Sequence, residues 1–384
     1  MAATATGPAR VKAQRVWRFT HRWIGLVAGT VMALIGLTGS ATVFQREIDA
    51  WLNPALFTPG DGPARHGAAD ALAAAQALDR GRVSIIRLPD PVWPVLTVNQ
   101  TRHGPNGPER WMVHVDPVSG RVLGARNFEA SFTQTIYLLH STLLLRRWWG
   151  KEIAGIAGLL ALFSIGSGLY LWWPRQDGAK ALLRLRRRPR QILYLDLHNL
   201  AGAWASILLL VIATAGVWLA LPGIVRPVVN LVTETRQRPP SSPERFASSP
   251  AIDADRAQAL AEAAIPGAAA GYLSPPTQQR NAWQVGLHGI GGDPRLRSRS
   301  LVWIDPASGA VLRQLGEGQG PLGARMEKDL IWLHSGALFG LGGRLLAVLA
   351  GLSLPVLWTT GLLFWLRRRR LRQATPRPAM APAA

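Results

Sequence analysis

Four apolar runs, at residues 24–44, 153–173, 200–221 and 345–366, constrain this chain more than any other feature of its sequence. Each reaches the length of about 20 residues that a helix needs to cross a hydrocarbon core. A backbone in lipid must satisfy its own hydrogen bonds, so each run reads as a transmembrane helix and the lipid bilayer as an obligatory partner. Basic residues flank the runs unevenly. Arg10, Lys12, Arg15, Arg18 and Arg22 precede the first, Arg175 and a basic cluster at 180–190 separate the second from the third, and Arg367, Arg368, Arg369, Arg370 and Arg372 follow the fourth. The positive-inside rule puts these segments and both termini in the cytoplasm and sends two long loops, 46–130 and 223–328, to the other side of a bacterial inner membrane. The loops carry arginines too, but long loops translocate largely regardless of charge. The first run is not read as a signal peptide, because no small-residue cleavage site follows it and a second copy of it occurs downstream.

That second copy belongs to an internal repeat. At an offset of 177, Trp17, His21, Gly25 and Gly39 fall on Tyr194, His198, Gly202 and Gly216. At 193, Gly150, Gly158, Gly168 and Trp172 fall on Gly343, Gly351, Gly361 and Trp365, and just upstream Leu139, His140 and Ser141 match Leu333, His334 and Ser335. In the loops, Val115-Asp-Pro-Val-Ser-Gly-Arg-Val-Leu123 matches Ile304-Asp-Pro-Ala-Ser-Gly-Ala-Val-Leu312. Each loop has an alanine-rich helical stretch (68–78 and 254–265), then short alternating strands ending in the Asp-Pro-x-Ser-Gly turn, which predicts a small α+β module in each half. A Pro-rich linker at 238–243 leads into the second. Each half crosses the membrane twice, so the copies enter from the same side and relate by a pseudo-twofold axis along the membrane normal.

The expected class is therefore a mainly α membrane protein of four spans in two tandem repeats. Its divisions are the N-terminus and first span (1–45), the first module (46–130), a short outer helix and second span (131–175), and a basic cytoplasmic loop (176–193). Then come the third span (194–222), the second module (223–328), another short helix with the fourth span (329–367), and a basic tail (368–384).

The formal charge of +21 invites a nucleic-acid reading, but the basic residues cluster beside apolar runs, so nucleic acid is excluded as a partner. The absence of cysteine excludes disulfides, Cys-ligated zinc, iron–sulfur clusters and covalent c-type haem. Four of the eight histidines form two repeat pairs, His21 with His198 at the start of the first and third spans, and His140 with His334 in short segments outside the second and fourth. Two histidines opposed across a twofold axis at one depth offer the axial ligands of a b-type haem, giving two haems, one near each membrane face. Gly25 and Gly202, four residues beyond His21 and His198 on the same helical face, would leave room for a flat macrocycle. Arg18, Arg22, Arg146 or Arg344 could meet its carboxylates. Two blander readings stay open: interfacial hydrogen-bonding histidines, and a simple copper or zinc site. Gly39 and Gly216 read as helix-packing positions, and His66, His103, His114 and His288, which have no matched partners, as surface or structural. No nucleotide-binding glycine loop opens a helix after a strand, and no hydrolytic triad or zincin signature stands out.

With His21-x-x-x-Gly25, Leu139-His140-Ser141, Gly168-Leu-Tyr-Leu-Trp172 and the Asp-Pro-x-Ser-Gly hairpins in this order, the chain resembles the PepSY-associated transmembrane helix family from about residue 15 to 370. Members of that family include iron-regulated inner-membrane proteins and ferric-siderophore reductases. The resemblance implies periplasmic PepSY-like modules, haem iron ligated by His21, His198, His140 and His334, and an oxidoreductase that reduces a periplasmic ferric siderophore or similar acceptor with electrons from an unidentified donor. Loop arginines Arg82, Arg87, Arg102, Arg110, Arg295, Arg297 and Arg299 read either as a field that attracts an anionic acceptor or, equally, as solvated surface. The rival expectation is a non-enzymatic membrane scaffold whose modules bind a peptide or partner protein, which leaves the histidine pairs without a role.

Overall fold

The computed structural model describes residues 8–79, 81–104, 107–173, 185–187, 189–235, 240, 251–288 and 300–374. Arg175, Lys180, Arg295, Arg297 and Arg299, and all of the 238–243 linker but Pro240, lie outside these residues. Among the described residues, four helices are long and apolar enough to cross a membrane: α1 (Pro8–Thr42), α6 (Gly150–Trp172), α7 (Arg190–Ala220) and α11 (Gly340–Ala374). The chain is a membrane protein, mostly helical, with one antiparallel sheet. These helices form one compact unit, and the segments Phe44–Ile136 and Arg226–Trp332 form another.

In the helical unit, α1 packs on α6 and α11, and α7 packs on the same two helices. Apolar side chains cannot drive association in lipid, so close approach at small residues takes over. Gly36 of α1 lies against the backbone of Gly351 of α11, and Ser40 Oγ reaches the Val348 carbonyl of α11 at 3.1 Å. Gly158 of α6 lies where a Cβ would stand 2.9 Å from Val217 of α7. The helices outrun the apolar windows: α1 begins at Pro8 and α7 at Arg190, so His21 and His198 sit well inside their helices and not at their starts. Hydropathy marks the lipid-buried part of a helix, whereas the backbone hydrogen-bond ladder sets its ends.

Two short helices, α5 (Phe132–Thr142) and α10 (Leu322–His334), carry His140 and His334 near their C-terminal ends, and α2 (Gln45–Leu52), α3 (Pro54–Phe57) and α8 (Pro222–Val229) are further short helices. After α5 the chain turns through left-handed Leu143, Leu144 and Trp149 before Gly150 opens α6. After α10, left-handed Gly336 and Gly340 make the corresponding break. Gly336 also packs against the Gly343 backbone, so a side chain there would be both strained and blocked.

Among the described residues the other unit has eight strands: β1 (Arg82–Arg87), β2 (Leu96–Gly104), β3 (Gly107–Val115), β4 (Val122–Asn127), β5 (Ala269–Ser274), β6 (Trp283–His288), β7 (Ser300–Ile304) and β8 (Val311–Leu315). Their order is β4-β3-β2-β1-β5-β6-β7-β8, all antiparallel, with β1 and β5 joined through Ile86↔Leu273 and Arg87↔Tyr272. The strands of the two loops thus share one sheet, where sequence periodicity suggests a separate small sheet in each. Helices α4 (Ala68–Leu78) and α9 (Ala254–Ala264) lie on it and touch each other. Ala68, Ala71 and Ala75, and Ala254, Ala257 and Ala261, are buried at helical spacing against Val83, Ile86, Val98, Val113, Leu273, Trp283, Val285 and Val302. Each hairpin turn is set alike: Gly120 and Gly309 take left-handed φ of 72° and 75°, and Asp116 and Asp305 accept the amides of Val118 and Ala307 at 3.0 and 2.9 Å.

Candidate functional site

The four repeat histidines meet in two pairs inside the helical unit. The ring centroids of His21 and His198 are 6.2 Å apart, and those of His140 and His334 6.0 Å apart. His21 and Gly39 are 18 residues apart on α1, as are His198 and Gly216 on α7, and His140 and His334 pack on those glycines. At 1.5 Å per residue this separates the pairs by roughly 27 Å along the helices, close to the thickness of a hydrocarbon core.

Every ring uses the same nitrogen to anchor itself. His140 Nδ1 donates to the Ile35 carbonyl at 2.9 Å, His334 Nδ1 to Ile212 at 2.8 Å, and His198 Nδ1 to Leu357 at 2.9 Å, with Thr360 Oγ1 at 3.3 Å. A carbonyl can only accept, so these three rings are protonated at Nδ1. His21 Nδ1 meets Ser167 Oγ at 3.0 Å, and that hydroxyl donates to the Ser164 carbonyl at 3.1 Å, so it too accepts from the ring. In all four, Nε2 is left as the nitrogen with a free lone pair, the form in which imidazole binds a metal.

Glycines make this possible. A Cβ at Gly39 would stand 2.7 Å from His140 Cε1, at Gly216 2.9 Å from His334 Cε1, at Gly168 3.0 Å from His21 Cε1, and at Gly361 3.4 Å from His198 Cε1. Sequence reading takes Gly39 and Gly216 for helix packing and attaches no role to Gly168 and Gly361. The signal that marks them is that each pair repeats at the offset of its own span, 177 for Gly39 and Gly216 and 193 for Gly168 and Gly361. Gly25 and Gly202, proposed to line the cofactor, differ from these: a Cβ at Gly25 would meet nothing within 4 Å, and at Gly202 only Leu357 at 3.5 Å. Among the four arginines considered for a carboxylate, Arg344 is buried and donates to the Val43 carbonyl at 2.7 Å, whereas Arg18, Arg22 and Arg146 are exposed.

A metal–imidazole bond of about 2.0 Å on each side of one ion puts opposed ring centroids roughly 6 Å apart, which both pairs match. No third His, Cys, Asp or Glu joins either pair among the described residues. Two imidazoles alone underfill a tetrahedral zinc site, whereas they complete the axial set of an iron already held in a macrocycle. The donor set and spacing therefore fit a bis-histidine haem at each pair.

Of the unmatched histidines, His66 pairs with Asp70 at 2.8 Å, His103 is exposed and His114 is fully buried. Among the loop arginines, Arg102 pairs with Asp79 at 3.4 Å and Arg110 with Glu129 at 2.8 Å, so these two meet carboxylates of their own chain. No curated protein matches the chain. The model of the PepSY-associated TM region matches residues 18–368, a stretch holding both histidine pairs and all four of their glycines, and the chain belongs to that family.

Proposed function

We propose that this protein is a b-type haem protein of the bacterial inner membrane that carries electrons outward to a periplasmic ferric chelate, most plainly a ferric siderophore. The observation that carries this reading is the uniform chemistry of the four histidines, each with Nδ1 committed to an acceptor and Nε2 free, in two pairs at about the spacing that one shared metal ion requires. His21 and His198 would hold one haem near the arginine-rich, cytoplasmic ends of the helices, and His140 and His334 a second near the opposite ends. A haem so ligated supplies a reversible one-electron couple. The chain's own contribution is to fix the ligand tautomers and to exclude water between packed helices.

The acceptor would dock on the sheet unit, read here as two duplicated PepSY-like modules related by a pseudo-twofold axis. The sheet order, with β1 beside β5 and matching strands ranked outward from that junction, supports the duplication. Reduction of a ferric chelate releases its iron because Fe(II) is softer and held less tightly by hard oxygen ligands.

The test is a dithionite-reduced minus oxidised absorption spectrum of the detergent-purified chain, with a pyridine haemochrome assay. The expected result is a b-type spectrum with one haem for each histidine pair. A colourless protein from haem-replete cells would overturn the reading and return the scaffold alternative.

A further inference from the structure

In an α-helix the carbonyl of residue i accepts from the amide of residue i+4 and keeps a second lone pair. The Cβ of residue i+4 lies next to that lone pair. Ile35 and Gly39, Ile212 and Gly216, and Leu357 and Gly361 are such i, i+4 pairs, and in each the carbonyl takes a histidine Nδ1–H while the glycine meets the same imidazole. The fourth case has the same frame in Ser164 and Gly168, with the Ser167 hydroxyl relaying the bond from His21 to the Ser164 carbonyl. One device thus occurs four times, on four different helices.

We propose that Gly39, Gly168 and Gly216 are positioning residues, with Gly361 a looser fourth case where a Cβ would only touch the ring at 3.4 Å: each of the three forms a seat that lets an imidazole lie against helix backbone, fixes its proton on Nδ1 and so makes Nε2 the ligand nitrogen. The function of the seats rests on the haem reading above, but their existence does not. A side chain at the seat would push the ring off the carbonyl by several tenths of an ångström or more, since Cβ distances of 2.7–3.0 Å at three of the seats lie inside van der Waals contact. A bond to a backbone carbonyl also raises the basicity of the ligating nitrogen, so the seat sets ligand strength as well as geometry.

The experiment uses the full chain, labelled with 15N at histidine and reconstituted in lipid without haem, to read the tautomer of each ring. Four rings should carry the proton on Nδ1. Gly39→Ala should shift the His140 resonances and Gly168→Ala those of His21, each leaving the other pair unmoved. Gly166→Ala, on the same helix as Gly168 and with nothing within 4 Å of its Cβ, should shift none. Should the seat variants fail to fold, Ser167→Ala removes the hydroxyl that His21 meets without adding an atom, and should shift the resonances of that ring alone. Once haem is added, the same substitution should raise the midpoint potential of the His21/His198 site, a shift that loss of packing alone would not confine to one site. Wild-type rings protonated on Nε2, or unmoved tautomers in Gly39→Ala, Gly168→Ala and Ser167→Ala, would overturn the proposal. A chain with seated tautomers that takes up no haem would keep the seats and remove the haem reading; a loaded chain with unmoved variants would do the reverse.

Discussion

His140 in the helical unit is half-buried and His114 in the sheet unit fully buried, and the two are handled in opposite ways. The His140 ring donates to the Ile35 carbonyl and lies 6.0 Å from its repeat mate, His334. His114 is 0% exposed, and neither of its ring nitrogens has a hydrogen-bond partner among the described residues. Its ring packs edge-on to Phe57 at 4.8 Å and lies 6.5 Å from Trp93. Full burial without a polar partner marks His114 as a core residue, whereas half-buried His140 is the residue proposed as a ligand. What separates them is whether one nitrogen is committed to an acceptor while the other has a counterpart across the interface.

The largest effect expected from this contrast is on cofactor content. His140→Ala should abolish the signal of one haem and leave that of the His21/His198 pair, as read by haemochrome stoichiometry and the Soret band. His21→Ala should do the converse, and His114→Ala should leave haem content unchanged. Loss of haem in His114→Ala equal to that in His140→Ala would break the contrast, because it would mean that any buried histidine in the chain supports loading.

The pairing of the histidines was legible in the sequence because they recur at fixed offsets, and the spans were legible because lipid demands about 20 apolar residues whatever else a helix does. The seats were not. Gly39 and Gly216 look like any small residue in a membrane helix, and only the arrival of α5 and α10 shows that each glycine uncovers a carbonyl four residues earlier. Gly25 and Gly202, chosen for lying one turn from a histidine, satisfied the helical period but said nothing about what faced them across the bundle. The joined sheet was hidden for a similar reason. The β1–β5 junction consists of two residue pairs between strands nearly 190 residues apart, and no local pattern encodes it. The hairpins, by contrast, were readable residue by residue, since Asp116 and Gly120 act within their own turn.

A second prediction turns on charge. Burial, reinforced by the nearby Arg126 cation and only partly offset by Asp49, lowers the pKa of His114 from 6.5 to about 4. Between these values the unfolded chain takes up a proton that the folded sheet unit refuses. Stability is thus unaffected above pH 6.5 and falls progressively as pH drops, by about 3 kcal/mol once pH 4 is reached, at 1.36 kcal/mol per pH unit. Chemical unfolding followed by tryptophan fluorescence between pH 7 and pH 4 should show this decline, and His114→Leu should remove most of it. A slope that survives the substitution would place the acid-sensitive group elsewhere and weaken the view of His114 as a neutral core residue.

The smallest effect is expected where side-chain charges meet at the surface. Arg110 and Glu129 pair at 2.8 Å with side chains 51% and 32% exposed, and the Arg110 guanidinium also lies 5.7 Å from the centre of the Phe128 ring. Water and salt screen such a pair, and holding two long side chains in one geometry opposes the gain, so a double-mutant cycle through Arg110→Ala and Glu129→Ala should give a coupling of about 0.2–1 kcal/mol. Raising ionic strength should shrink it further. A larger coupling, or a change in haem content on deleting either partner, would mean that the charges of the sheet unit do more than neutralise one another. The proposed division of labour, with haem chemistry confined to the helical unit, would then have to be redrawn.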